Sequence, residues 1–222
     1  MPVVAVVNPK GGVGKTTLAT NLAGFFAASQ SKTMLGDFDR QQSAKYWLSL
    51  RPAGVAPIET WEVNGSVARP PKRVTHVVLD PPAQIAGKAL ADVVRVADKI
   101  LVPLAPSLFD VVATQAFLEE LRHPFKTPAQ FEKTVGLVGT RIDSRTKAAE
   151  ELERCVKSMN APVAAFLRDT QNYVQLAAHR THRVRCTVAA GPGRSRKLGT
   201  VDRVGRSLMT APATSIRRFD RS

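Results

Sequence analysis

The 222-residue chain predicts a doubly wound α/β fold, a mostly parallel sheet with helices on both faces. Three observations predict it. Short apolar, β-branched runs alternate with segments of helical period along most of the chain, and such alternation implies a parallel sheet of buried strands. A glycine-rich loop, Gly11-Gly12-Val13-Gly14-Lys15-Thr16, stands between the first apolar run and the first helical segment. Asp37, Asp39 and Asp80 each follow a strand-like run, which gathers them with the loop at the carboxyl edge of the sheet, where ligands of such folds sit.

Residues 3–7 are a continuous apolar run and predict the first strand. Residues 15–30 predict a helix, because Leu18, Leu22, Phe25 and Phe26 recur at helical spacing. Residues 33–35 form a short strand that leads into Asp37 and Asp39. A helix over 41–50 is broken by Pro52, and residues 57–61 predict a short strand. Residues 74–79 read as a buried strand ending at Asp80-Pro81-Pro82. Then come a helix at 85–97, a strand at 100–104, a helix at 111–121, a strand at 135–140, a helix at 145–159 and a strand at 163–167. Residues 171–178 open a further helix.

Composition limits the function. Hydrophobic residues make up 44% of the chain, as in soluble globular proteins. No apolar run approaches the ~20 residues of a membrane span. The start of the chain reads directly into a strand, without signal-peptide character, so the cytoplasm is the expected location. The net charge of +14 favours acidic partners such as DNA, and with them association with the nucleoid. Cys155 and Cys186 have no metal-ligand or redox spacing.

The glycine loop carries the chemistry. Glycines let successive backbone N–H groups turn inward around phosphate oxygens, and a helix N-terminus adds the positive end of its dipole. Gly11, Gly12, Val13, Gly14, Lys15, Thr16 and Thr17 are therefore the candidate nucleotide-binding residues. Lys15 would supply a point charge to the β- and γ-phosphates, and the Thr16 hydroxyl can ligate Mg2+.

Pro9 stands where the general G-x-x-x-x-G-K-[ST] pattern has its first glycine, and a second lysine, Lys10, precedes the glycines. In this the loop resembles the deviant Walker A motif of the ParA/MinD family of ATPases. The resemblance implies that Lys10 reaches across a dimer interface to the nucleotide of a partner subunit. Asp37-Phe38-Asp39-Arg40-Gln41 resembles the family's D-x-D-P-Q segment, with Arg40 where proline is common. Asp37 and Asp39 fall on one side of an extended segment. Asp39 is the candidate for orienting the attacking water, and Asp37 for supporting Mg2+ or its waters. A plain reading, that the pair caps the helix beginning near Gln41, is compatible with both roles. Val77-Val78-Leu79-Asp80 looks like a Walker B strand, which would set Asp80 near the metal.

Weaker matches follow at Val102-Pro103-Leu104-Ala105-Pro106-Ser107, at Thr140-Arg141-Ile142-Asp143 and at Leu167-Arg168-Asp169-Thr170-Gln171-Asn172-Tyr173. The implied protein is a weak Mg2+-dependent ATPase that cycles between monomer and ATP-sandwich homodimer. It would serve plasmid or chromosome partitioning or the positioning of protein cargo, with a ParB-like or other activator, non-specific DNA, and no membrane anchor. The main rival is a non-hydrolysing nucleotide-binding scaffold with a compromised C-terminus. An iron-protein-like reductase would need paired cluster cysteines, and a kinase of this fold a tyrosine-rich tail; only Tyr46 and Tyr173 are present.

The organisation expected is an ATPase domain over 1–178 and a basic tail over 179–222. From Arg180 onward 11 Lys and Arg stand against two acidic residues, so the tail holds most of the net charge. It has no sustained period and contains Gly191-Pro192-Gly193. The family's usual Gly-Leu-x-x-Phe-Asp and Leu-x-Gln-Trp segments are missing from it. Codons allowed for 179–186 and 197–202, read one base later, give Thr-Gly-Leu-Thr-Val-Phe-Asp and Asn-Leu-Glu-Gln-Trp, and Leu208-Met209 then supplies a stop. The expectation is a tail translated out of frame. A functional DNA-binding tail and a divergent end are the alternatives.

Overall fold

The computed structural model describes residues 2–61, 71, 73–142 and 146–168. The expected helix at 171–178, the tail from 179, Asp143 and the loop from Asp169 to Tyr173 lie outside the described residues. The strands are β1 (Val3–Val6), β2 (Thr33–Asp37), β3 (Ile58–Thr60), β4 (His76–Asp80), β5 (Lys99–Leu104), β6 (Val135–Ile142) and β7 (Val163–Arg168). The helices are α1 (Lys15–Ala28), α2 (Ser43–Ser49), α3 (Gly87–Val96), α4 (Leu108–Arg122), α5 (Pro128–Thr134) and α6 (Lys147–Ser158).

The seven strands form one sheet in the order β3-β2-β4-β1-β5-β6-β7, and every pairing is parallel. The expected mostly parallel sheet is thus wholly parallel among the described residues. From β1 the chain moves outward to β2 and β3, returns to β4, and then passes β1 to build β5, β6 and β7 on the other side. The order reverses beside β1, so the loop after β1 opens at the switch point where such sheets bind ligands.

Side-chain alternation divides the core into two layers. Val4 and Val6 of β1, Leu35 of β2 and Val78 of β4 pack with Leu18, Leu22 and Phe26 of α1. Val3, Ala5, Val77, Leu79, Ile100 and Val102 face the other way and pack with residues of α3, α4, α5 and α6. Both faces of each central strand are covered, which is why these strands read as unbroken apolar runs. Gly139 in β6 lies under the Phe166 ring of β7, and a Cβ there would run into that ring.

Two elements depart from expectation. α5 was not foreseen; its start is set by Thr127, whose side chain accepts from Gln130 N at 3.3 Å, and by Pro128 at the first helical position. Seven residues are too few to show a helical stripe. α4 begins at Leu108, three residues ahead of the buried stripe that starts at Val111, because its first turn is not packed on the core.

Candidate nucleotide-binding site

The functional candidates converge as the topology requires. The loop after β1, Asp37 at the end of β2 and Asp39 just after it, Asp80 at the end of β4 and Thr140 near the end of β6 share the carboxyl edge of the sheet. Gly12 and Gly14 have φ of 76° and 91°, a left-handed backbone that only glycine adopts at little cost. Gly14 is the N-cap of α1, so no side chain caps this helix, and its first turn has no acidic residue. Its leading N–H groups and dipole therefore suit an anion from outside the chain.

Four residues hold the loop. Asn8 is fully buried; its Nδ2 donates to the Pro103 carbonyl at 2.7 Å and to Thr114 Oγ1 at 3.1 Å, and its Oδ1 accepts from Lys10 N at 2.8 Å. The Thr140 hydroxyl donates to the Val13 carbonyl at 3.0 Å. Gln84 N donates to the Pro9 carbonyl at 3.2 Å. Lys15 Nζ donates to the Lys10 carbonyl at 2.8 Å, across the mouth of the loop. Asn8 and Thr114 were not singled out by sequence reasoning. The available signal was a lone amide at the end of an apolar run.

The lysines sit differently. Lys15 is buried, and desolvation lowers its pKa while the charges of Asp80 and Asp39 oppose that fall. Lys10 is 42% exposed at its side chain, and its Nζ lies 3.9 Å from Asp110 Oδ1 in the first turn of α4. It points to the rim rather than into its own loop.

The carboxylates form a graded set. Asp37 and Asp80 are register partners on β2 and β4. Asp80 is 1% exposed, and neither of its oxygens has a hydrogen-bond partner. Burial pushes its pKa up to about 7, and the charges of Asp37 and Asp39 add to the rise. The Thr16 hydroxyl and Lys15 lean the other way, but the hydroxyl does not close a hydrogen bond of normal geometry. Asp37 Oδ1 accepts from Asp39 N and Asp37 Oδ2 from Lys45 N, each at 3.0 Å. Asp39 Oδ1 accepts from Gln41 N at 3.0 Å. The pair does not cap the helix jointly: the N-cap position is Gln42, without a side-chain cap, Asp37 alone takes an amide in the first turn of α2, and Asp39 braces the turn ahead of it.

A buried carboxylate without partners is costly unless a cation or its waters face it. Asp80 and the Thr16 hydroxyl offer the hard oxygen donors that Mg2+ takes. Among the described residues no group of three acidic, His or Cys side chains is arranged for a metal. Cys155 is a free thiol on α6.

The family description "CobQ/CobB/MinD/ParA nucleotide binding domain" matches residues 4–182. The chain belongs to that family. It is a nucleotide-binding protein of the ParA/MinD type, in the group of P-loop ATPases that act in partitioning or positioning. The chain is 36% identical over 171 residues to Maintenance of carboxysome distribution protein A of Gloeobacter kilaueensis, covering 75% of this chain and 76% of that protein. Among solved structures, the MinD cell division protein of Aquifex aeolicus superposes with a TM-score of 0.68 at 16% identity, covering 98% of this chain and 99% of that one. A Cyanothece McdA variant in complex with ATP superposes with a TM-score of 0.62 at 13% identity, covering 82% and 88%. The ParA/MinD-type fold predicted from the sequence is the fold observed. Among the described residues no helix is long and apolar enough to cross a membrane.

Proposed function

We propose that this ParA/MinD-type protein is an ATP-driven dimerisation switch that hydrolyses ATP slowly to ADP and phosphate. One observation carries the reading: the left-handed Gly12 and Gly14 lead into the uncapped start of α1, with buried Lys15 beside the unpartnered Asp80 carboxylate. An anion and a divalent cation side by side would satisfy both halves of that arrangement, and Mg2+·ATP brings both.

The backbone from Gly11 to Thr17 cradles the phosphates, and Lys15 exchanges the Lys10 carbonyl for phosphate oxygens. Thr16 and Asp80 would hold Mg2+, which would supply positive charge against the phosphates. Asp37, with each oxygen already taking a backbone amide, supports the metal's water shell through its charge. Asp39 orients the attacking water. Lys10, directed to the rim, stabilises developing charge on the nucleotide of a second copy.

The likeness to a carboxysome-distribution protein supports positioning of a protein cargo as the output, with an activator protein of ParB type or equivalent completing the cycle. Of the net charge of +14, +9 stands in the tail from Arg180 onward, so with that tail read out of frame only the remaining +5 supports non-specific DNA, and with it the cytoplasmic nucleoid, as the matrix. The family match ends at residue 182, which supports a domain boundary near 178 and a tail read out of frame. The genomic sequence around codon 179 tests that part directly: without a single-base change restoring Gly-Leu-x-x-Phe-Asp, the frameshift is wrong.

The test of the switch is phosphate release by the full chain with Mg2+·ATP, with and without DNA and a candidate activator. Lys15→Ala is the control, expected to lose nucleotide binding. Stimulated turnover supports the reading. ATP binding without turnover under every condition would leave a non-hydrolysing scaffold.

A further inference from the structure

The outer surface of α2 is charged unlike that of the helices on the opposite layer. Arg95 on α3, Arg122 on α4 and Arg154 on α6 each pair with an acidic residue three positions earlier on the same helix. Residues 40–57 hold Arg40, Lys45 and Arg51 and no acidic residue. The two carboxylates just ahead of them, on Asp37 and Asp39, are turned to backbone amides. α2 buries Ala44 and packs Trp47 and Leu48 on the α1 layer, which leaves Gln42, Tyr46 and Ser49 on its outward row. Tyr46 is 66% exposed, and Arg40 is exposed two residues ahead of Gln42. The Arg51 guanidinium lies 5.0 Å from the centre of the Trp47 ring and donates to the Ala56 carbonyl at 2.7 Å, so its charge is held in place. The start of α2 is also bound to the segment that carries Asp37 and Asp39. Lys45 N donates to Asp37 Oδ2, Gln41 N to Asp39 Oδ1 and Gln42 N to the Asp39 carbonyl, each at 3.0 Å.

We propose that the outward side of α2, together with Arg40, is the docking surface for an acidic segment of the protein that activates hydrolysis. The inference rests on the ATPase reading above and adds where the activator binds and what chemistry it presents. Tyrosine and arginine are among the residues that most often carry the binding energy of protein interfaces. Tyr46 supplies an aromatic anchor, and Arg40 a fork of donors for a carboxylate. Charge complementarity selects the partner: an acidic chain meets the cations of residues 40–57 here, whereas on α3, α4 or α6 it would meet Asp92, Glu119 or Glu151. Duplex DNA fits less well, since non-specific binding neutralises a row of phosphates and a helix of seven residues offers no such row. Arg40 follows Asp39 directly in the chain, so a partner that holds Arg40 and Tyr46 fixes the position of the Asp39 carboxylate. The effect falls on turnover rather than on the phosphate loop, whose anchors are the Pro103 carbonyl on β5 and the Thr140 hydroxyl on β6.

The probe is a fluorescein-labelled peptide of repeated Glu-Glu-Leu, with a Gln-Gln-Leu peptide as neutral control, added to the full chain with Mg2+·ATP. The acidic peptide is expected to bind about tenfold more tightly than the control, and less tightly as salt rises. It should raise kcat for phosphate release about tenfold and leave KM within about twofold. Tyr46→Ala should weaken peptide binding about tenfold, Arg40→Gln about threefold, and Arg95→Gln on α3 by less than about twofold. Because Tyr46 is exposed, its replacement should move the melting temperature by less than about 2 °C. Each variant should bind a fluorescent ATP analogue within about twofold of wild type. Equal binding of the two peptides, or acidic-peptide binding that survives both Tyr46→Ala and Arg40→Gln, overturns the docking surface. A peptide that binds there and leaves kcat unchanged overturns its link to hydrolysis. Duplex DNA binding that falls in both variants, with no peptide binding to wild type, overturns the inference and gives the surface to DNA. In each of these cases the ATPase reading stands as long as wild type releases phosphate. A wild type that binds ATP and releases none, with or without peptide, DNA or a candidate activator, overturns the ATPase reading and this inference together.

Discussion

Replacing Asn8 by alanine isolates the anchor of the phosphate loop from the chemistry of the loop. Asn8 contributes no group to a phosphate; it ties the Lys10 amide to β5 and α4 through three hydrogen bonds of 2.7, 2.8 and 3.1 Å. A buried polar group left without its partner costs about 1–3 kcal/mol. Of the three partners, Thr114 is fully buried, but its hydroxyl can rotate toward another acceptor. Lys10 is half-exposed, so water can serve its amide. The Pro103 carbonyl in the buried part of β5 bears most of the loss. The total is about 2–4 kcal/mol, and a domain of this size loses about 2–4 °C of Tm per kcal/mol. Thermal unfolding of Asn8→Ala without nucleotide is expected to fall by about 4–16 °C. Nucleotide affinity should weaken about tenfold, because the Lys10 end of the loop is no longer fixed. Asn8→Asp sharpens the test. It keeps an acceptor for Lys10 N but turns a donor toward the Pro103 carbonyl into a buried charge, so it should melt below Asn8→Ala at neutral pH. An Asn8→Asp protein as stable as wild type, or an Asn8→Ala protein with unchanged Tm and unchanged affinity, would refute the anchoring argument.

Other substitutions separate roles that the geometry keeps distinct. Asp80→Asn should leave the nucleotide-free protein at least as stable as wild type, since it removes a buried charge without partners. The same change should abolish most of the extra stability that Mg2+·ATP confers, about 2.7 kcal/mol at a hundredfold excess over Kd; melts with and without Mg2+·ATP, and with EDTA added, measure both. Thr140→Val removes the bond to the Val13 carbonyl at nearly constant shape and should cost about 1 kcal/mol in urea unfolding. Gly139→Ala should cost about 1–3 kcal/mol, because the added methyl meets the Phe166 ring; a Gly139→Ala, Phe166→Leu double variant should recover part of that loss.

What could be read in advance divides along a physical line. The strands were legible because a strand covered on both faces, as Val4 and Val6 against α1 and Val3 and Ala5 against the other layer, leaves an unbroken apolar run. The glycine loop was legible because a left-handed backbone at Gly12 and Gly14 admits few other residues. The short α5 was not, since two turns carry no period and its proline reads equally as a break. Nor was the clamp on the loop: Asn8 and Thr114 lie 106 residues apart, and nothing local to either announces the other.

The carboxylates show the limit in another form. All three were picked out, but a spacing cannot say which of them is already engaged. Asp37 gives both oxygens to backbone amides eight and two residues away, and Asp39 gives one to Gln41, so the second motif closes its own turn. Asp80 gives neither oxygen to anything, although it is the most deeply buried of the three. A fold tolerates an expense of that kind where function recovers it. On the proposed function the metal side therefore falls to Asp80, while Asp37 and Asp39 set the position of the loop from which their charges would act. That ordering separates the variants. Asp37→Asn should loosen the start of α2 and lower stability without nucleotide, whereas Asp80→Asn should not. A pair of melting curves in which the two variants behave alike would remove the distinction.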